Sequence, residues 1–172
     1  FSLEDEPAMT VLIPKPFSNS TTFRTTLGCF PTGVAIVTTL NAAEAPVGLT
    51  ISSFNSVSLS PPLVLWSLSR SSECVEDFQA RGSFAINILS ADQTDLCNRF
   101  AQPNINRFEG VDWHPSCEGL PILTGVSAVM MCKTHAVHDG GDHEIYIGKV
   151  ISHAHGENAP MVYAKGKISK LT

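Results

Sequence analysis

The sequence predicts a mainly β domain: a β-barrel of antiparallel, Greek-key-like strands with helices at its periphery. Three observations lead there. About seven short segments are β-branched runs or alternate apolar with polar residues. These segments come in hairpin-like pairs separated by turn residues. The helical segments are few and short, without the regular βαβ alternation of a doubly wound sheet. There is no internal repeat, and no GxGxxG or Walker loop occurs, so a bound nucleotide would not use the Rossmann or P-loop solution.

Residues 1–20 read as an irregular N-terminal arm broken by Pro7, Pro14 and Pro16, and residues 21–172 as the domain. The apolar Val11, Leu12, Ile13 and Phe17 of the arm suit packing on a neighbour. The acidic, proline-interrupted start does not resemble a signal or transit peptide. Thr22 to Phe30 suits a short helix, stopped by Pro31 and Gly33. GVAIVTTL (33–40) is continuous and β-branched, as in a buried strand, and a polar turn at 41–45 leads to a second strand over 47–53. Pro61 and Pro62 precede a strand over 63–68, since proline is tolerated at a strand's start.

Ser71 or Ser72 can cap a helix that ends at Arg81-Gly82. SFAINIL (83–89) is a strand. SADQ (90–93) has the spacing of a capping box and opens a helix to about Ala101. Residues 102–120 read as loop. Segments 127–137 and 144–151 form a hairpin turned at Asp139-Gly140-Gly141. Two short strands, 161–163 and 167–171, close the chain.

With 172 residues, 43% of them hydrophobic and 16% charged, the chain favours one domain with a real core and is not disordered. So low a charge suggests that more surface than usual is buried, for which a dimer is one explanation. A net charge of −5 gives no electrostatic footprint for nucleic acid or an anionic membrane. No apolar run approaches the roughly 18 residues of a membrane span. Cys29, Cys74, Cys97, Cys117 and Cys132 are widely spaced without a CxxC, which argues against a disulfide scaffold or zinc ribbon and for reduced thiols in a cytoplasm. Cys132 follows Val129-Met130-Met131, so it should be buried and unreactive. His135, His138, His143, His153 and His155 have no cysteine at ligand spacing and match no metal motif, so no metal is expected.

The most informative stretch runs from Gly48 to Ser72. Thr50, Ser52, Ser53, Ser56, Ser58 and Ser60 crowd between two apolar strands, and the second strand opens into Ser67, Ser69, Arg70, Ser71 and Ser72. Hydroxyls in strands need partners. A cluster of them suggests a surface that hydrogen-bonds a polar ligand, such as a phosphate and a planar ring bearing carbonyls.

Taken together, FPTGVAIVTT (30–39), GLTISSFNSVSLSPPLVLWSL (48–68), GSFAINIL (82–89), LCNRFA (96–101), RFEGVDW (107–113), GDHEIYIGKV (141–150) and PMVYAKGKISKL (160–171) resemble the flavin reductase family, the FMN-binding split barrel. The resemblance covers about residues 23–171 in family order. It implies a homodimer that uses NADH to reduce FMN or FAD and supplies reduced flavin to a partner monooxygenase. Two alternatives stay open beside it. One is a flavoprotein that retains FMN and reduces a non-flavin acceptor, such as a corrinoid cobalt or other metal centre. The other is a flavin-binding module without turnover.

The family pattern assigns the flavin ring to Thr32, Gly33 and Val34 and to Thr50, Ser52, Ser53 and Phe54. Gly33 would be required for a close approach or an unusual dihedral. Ser56 joins the hydroxyls offered to the ribityl chain or phosphate. Ser67, Ser69, Arg70 and Ser72 sit where the family approaches the phosphate, beside a helix start that offers free N–H groups. Phe100 and Arg107 lie in a region that the family places near the flavin or the dimer partner. His143 is the nicotinamide-site residue, with Asp142 holding its geometry. Trp66 is either core or a wall of the ring pocket.

Overall fold

The computed structural model describes residues 11–171. The part of the N-terminal arm before residue 11 lies outside the described residues. From Val11 to Asn19 the arm has no regular structure, and Val11, Leu12, Ile13 and Phe17 are exposed. Helix α1 (Ser20–Leu27) follows, with Thr22 N–H donating to the capping Asn19 Oδ1 at 2.9 Å. It buries none of its residues.

A seven-stranded antiparallel sheet forms the body. Its order is β3 (Pro46–Ile51), β2 (Ala35–Leu40), β6 (Ser83–Ile88), β9 (Ala128–Gly140), β10 (His143–His155), β5 (Pro62–Ser69) and β4 (Asn55–Leu59). The two outermost strands, β3 and β4, are consecutive in the chain, so residues 52–54 carry the backbone across the gap between the sheet's ends. Ser53 ties that gap shut: its hydroxyl accepts from Ser67 N–H at 2.9 Å and donates to Ser67 C=O at 3.3 Å. A second sheet joins β1 (Thr32–Gly33), β11 (Met161–Ala164) and β12 (Lys167–Lys170), and β7 (Trp113–Pro115) pairs with β8 (Pro121–Leu123). Helices α2 (Val75–Arg81) and α3 (Thr94–Ala101) complete the order.

Strand β2 is buried along its whole length, which is why it reads as a continuous apolar run. Its two hydroxyls are satisfied: Thr38 donates to Pro121 C=O at 2.6 Å and Thr39 to Ser83 C=O at 2.8 Å. One side of the sheet packs the main core of Ala35, Val37, Trp66, Leu68, Phe78, Phe84, Ile86 and Tyr146. The other side packs Val34 and Ile36 with Cys97 and Phe100 of α3, and with Phe108, Leu123 and Met161. Trp66 is fully buried, stacked on Tyr146 at 4.9 Å and edge-on to Phe78 at 5.0 Å and Phe84 at 5.5 Å. It is core, and each such buried ring contributes about 1.5–3 kcal/mol.

Local expectations differ from the structure in several places. The segment 102–120 contains β7, whose partner β8 is also short. The β9–β10 hairpin is longer than its sequence pattern, at 13 residues a strand, and turns at Gly141-Asp142, with Gly141 left-handed at φ 77°. Helix α3 begins at Thr94, one turn past the capping box. Half of that box is made, as Gln93 Oε1 accepts from Ser90 N–H at 3.0 Å, while Gln93 Nε2 turns away to Thr124 C=O at 2.8 Å. Helix α2 starts at Val75 without a side-chain cap, because Ser72 Oγ accepts from Cys74 N–H at 3.3 Å in the turn before it. Cys132 is buried as expected, and burial pushes its thiol up to about 12.

Candidate active site

Strand β5 alternates cleanly. Val64, Trp66 and Leu68 point into the core, and Leu63, Leu65, Ser67 and Ser69 stand half-buried on the opposite face. Register then selects their neighbours: Ser67 lies opposite Ile145, and Ser69 opposite His143. The hydroxyl-rich end of β5 therefore runs to the histidine at the hairpin tip. Ser53 joins the row through its two bonds to Ser67, and Ser69 Oγ meets Ser71 Oγ at 2.9 Å.

At the tip, His143 Nδ1 lies 2.7 Å from Asp142 Oδ1. That hydrogen bond, then the charge of the imidazole, holds the Asp142 carboxyl below its usual range. With Nδ1 given to Asp142, Nε2 is the ring nitrogen left for a ligand. The side chain is 43% exposed, so a ligand can reach it. Arg24 of α1 also contributes to lowering Asp142, which brings α1 to the same mouth of the molecule.

Arg70 follows β5 directly and is bound to this hairpin. Its Nε donates to Gly141 C=O at 3.0 Å, Nη1 to Glu144 Oε1 at 3.1 Å and Nη2 to Asp139 Oδ1 at 2.6 Å. Its backbone N–H donates to Asp142 C=O at 3.0 Å. Glu144 is buried beneath, and also accepts from Gln79 Nε2 and the Tyr146 hydroxyl.

Beside this region lies a cavity of about 760 Å³ formed by α1, β1, the end of β3 and the β11–β12 turn. It brings together two of the expected site residues, Thr32 and Ser52, with Arg24, Phe30, Tyr163 and Lys165. No carboxylate lines it, and neither Arg24 nor Lys165 enters an ion pair among the described residues. Thr32 Oγ1 is buried without a hydrogen-bond partner among the described residues.

Other expected site residues are placed elsewhere or are already engaged. Thr50 Oγ1 donates to Cys97 C=O at 2.7 Å and so fastens α3 to β3. Phe100 is fully buried, edge-on to Phe108 at 5.0 Å. Arg107 donates to Gln102 C=O and Gly48 C=O and pairs with Glu73 Oε1 at 2.6 Å. It lines a separate cavity of about 460 Å³ that contains none of Thr32, Ser52 and His143. Val34 is core, Phe54 packs against the main core, and Ser56 is exposed on the edge strand β4. Ser72 is taken up by the α2 turn. Gly33 has no left-handed φ, so the unusual dihedral is not the reason for this glycine, and within the chain a Cβ there would meet only Met161 O at 4.0 Å.

Sequence reasoning did not select Arg24, Phe30, Tyr163 or Lys165. The only local signal was the AKGK turn, where Lys165 and Gly166 both take positive φ and swing the lysine out. Helix α1 gave none, because its lack of a buried face shows only in the fold.

Comparison with known proteins finds relatives over most of the chain. The model of the flavin reductase like domain matches residues 27–172. The chain is 43% identical over 154 residues to the FMN reductase (NADH) SmoA of Agrobacterium fabrum, covering 90% of this chain and 87% of that one. It is 40% identical over 150 residues to HsaB of Rhodococcus jostii, the reductase subunit of a flavin-dependent monooxygenase, covering 87% and 76%. Among solved structures, the NADH:FAD oxidoreductase SgcE6 of Streptomyces globisporus, in complex with NAD and FAD fragments, superposes with a TM-score of 0.84 at 34% identity, covering 88% of this chain and 92% of that one. A model match over most of the chain and relatives at this identity make it a member of the flavin reductase like family.

Proposed function

We propose that the chain is an NADH-dependent flavin reductase: it transfers hydride from NADH to FMN or FAD and supplies reduced flavin to a partner monooxygenase. The observation that carries the reading is the cavity next to the His143 hairpin. Two cations that form no ion pair, a lining with no carboxylate and a Thr32 hydroxyl with no hydrogen-bond partner, all among the described residues, suit the phosphate and polar edge of a flavin. The exposed faces of Phe30 and Tyr163 suit its ring.

Bound flavin supplies the two-electron redox chemistry. The protein's part is to bind and to orient, since hydride transfer needs no side-chain base. Arg24 and Lys165 would hold phosphate. Thr32, Ser52 and the Ser53–Ser67–Ser69 row would border the ring and ribityl chain. His143, fixed through Nδ1 by Asp142, would offer Nε2 to the nicotinamide carboxamide.

The same reading includes a cytoplasmic homodimer. Leu63, Leu65, Ile145 and Ile147 form a half-buried apolar patch on the outer face of β5 and β10, and Phe23 and Leu27 of α1 are exposed. Sedimentation of the purified protein tests the dimer. For localisation, no helix among the described residues is long and apolar enough to cross a membrane.

The test of activity is direct. Purified protein is mixed with NADH and either FMN or FAD, and NADH absorbance is followed. Flavin-dependent NADH loss that falls at least tenfold in His143→Ala is expected. No flavin-dependent loss in the wild type would sink the reading.

A further inference from the structure

We propose that Arg70 is a positioning residue for His143: it fixes the hairpin tip against β5 and so sets the orientation of the nicotinamide, and it does not bind phosphate. The proposal rests on the reductase reading for the identity of the ligand. Its structural half stands on the contacts alone.

The geometry disfavours Arg70 as a phosphate ligand, with three of its five N–H groups engaged by the protein. Each guanidinium nitrogen already has a protein acceptor, at Gly141, Glu144 and Asp139. Two of those acceptors are carboxylates. A phosphate approaching Arg70 would meet one positive charge flanked by two negative ones, a net repulsion.

The acceptors also say what the side chain does instead. They flank His143 on both sides in sequence: Asp139 lies near the end of β9, Gly141 is in the turn and Glu144 lies near the start of β10. Together with the backbone bond to Asp142, they tie the tip to the last residues of β5 at four points. The anchor is itself anchored, because Glu144 accepts from Gln79 on α2 and from Tyr146 in the core. Displacing the hairpin tip from the end of β5 therefore requires breaking the fork. A planar guanidinium can span three such acceptors at once, and a lysine ammonium cannot. Of the two carboxylates, Asp139 is 82% exposed and Glu144 only 10%, so the inner contact carries most of the constraint.

The experiment compares Arg70→Ala, Arg70→Lys and Asp139→Asn with the wild type and His143→Ala. Flavin affinity is measured by fluorescence titration. NADH turnover is measured with protiated and 4-deuterated NADH. Amide hydrogen exchange is followed over residues 139–144. For Arg70→Ala, the flavin Kd should stay within about twofold, while kcat/KM for NADH falls on the order of 10- to 100-fold and the deuterium isotope effect rises. Exchange at the tip should accelerate. Added guanidinium ion should restore part of the rate, Arg70→Lys should stay impaired, and Asp139→Asn should change turnover by no more than about twofold.

A tenfold or greater rise in flavin Kd would make Arg70 a phosphate ligand and overturn the proposal. So would a loss of rate with an unchanged isotope effect and no guanidinium rescue, which means only less folded enzyme, or unaltered NADH kinetics where His143→Ala is impaired. If the wild type oxidises no NADH, the reductase reading fails, and hydrogen exchange at 139–144 alone decides whether Arg70 holds the tip.

Discussion

Tyr146 donates its hydroxyl to Glu144 Oε2 at 3.1 Å, between two inward-facing residues of the same strand. Tyr146 is fully buried, and burial first, then the Glu144 carboxylate, push its hydroxyl well above the usual tyrosine range. Glu144 thus serves the core and the hairpin tip at once. Glu144→Ala should destabilise the fold by about 2–4 kcal/mol, because it strands the Tyr146 hydroxyl, the Gln79 amide and one branch of Arg70. Tyr146→Phe removes a donor without stranding a buried charge and should cost about 1 kcal/mol. Urea denaturation of the two variants checks the order, and an equal cost would show that Glu144 does not bind the groups together.

Gly148 faces the core at the irregularity in the β9–β10 register. A Cβ there would lie 2.6 Å from Phe84 Cζ and 3.1 Å from Cys132 Cβ. Phe84 is itself packed edge-on to Trp66, so its ring has little room to move. Gly148→Ala should therefore cost about 1–3 kcal/mol through overpacking. The same substitution at Gly141 meets nothing within 4 Å and is opposed only by its left-handed φ, a penalty of about 1 kcal/mol. Thermal unfolding of both variants separates crowding from backbone strain.

These contrasts show what a reader of the sequence can and cannot see. The strands at 35–40, 62–69 and 83–88 are legible because burial on one or both faces writes itself as alternation or an unbroken apolar run. The β7–β8 pair is not legible. It is three residues a side and rich in proline, and it is held by distant groups: Thr38 on Pro121 and Asn87 on Leu123. The row from Ser53 to Ser69 was visible as a cluster of hydroxyls, and His143 as a hairpin-tip histidine. The protein partners of the arginines are not legible. An arginine reads the same whether it faces water, phosphate or protein, and the acceptors of Arg70 lie 69 to 74 positions away. Phe100 was misplaced for a related reason: α3 has one apolar side, and only the fold shows that it faces Phe108 and Gly48 rather than a ligand.

Cys132 gives a pH dependence of known sign. Its folded value is raised to about 12 from an ordinary 9.0. The thiol's contribution to stability is therefore complete below about pH 9, where both states are protonated, and is lost as pH rises from there to about 12. In that window the unfolded chain ionises and the folded one does not, so stability should fall by about 1.4 kcal/mol per pH unit for this group. Cys74 and Cys97, also raised by burial, act in the same direction. Cys132→Ala should flatten the alkaline limb of a denaturation series from pH 8 to 11, although it is less stable at neutral pH. An unchanged slope would mean that the thiol ionises as readily in the folded protein.

Thr32 separates binding from folding. Thr32 lines the cavity between α1 and the β11–β12 turn, and its buried hydroxyl makes no hydrogen bond among the described residues. Thr32→Val is nearly the same shape and removes only that hydroxyl. Because no protein bond is lost, stability should stay within about 0.5 kcal/mol of the wild type or improve. If the hydroxyl is there for flavin, the same variant should raise the flavin Kd by about five- to tenfold, the worth of one neutral hydrogen bond of about 1–1.4 kcal/mol. Paired denaturation and flavin titration decide it. A loss of stability with unchanged affinity would assign the hydroxyl to the fold, and would move the flavin away from β1 towards the Ser67–Ser69 end of the site.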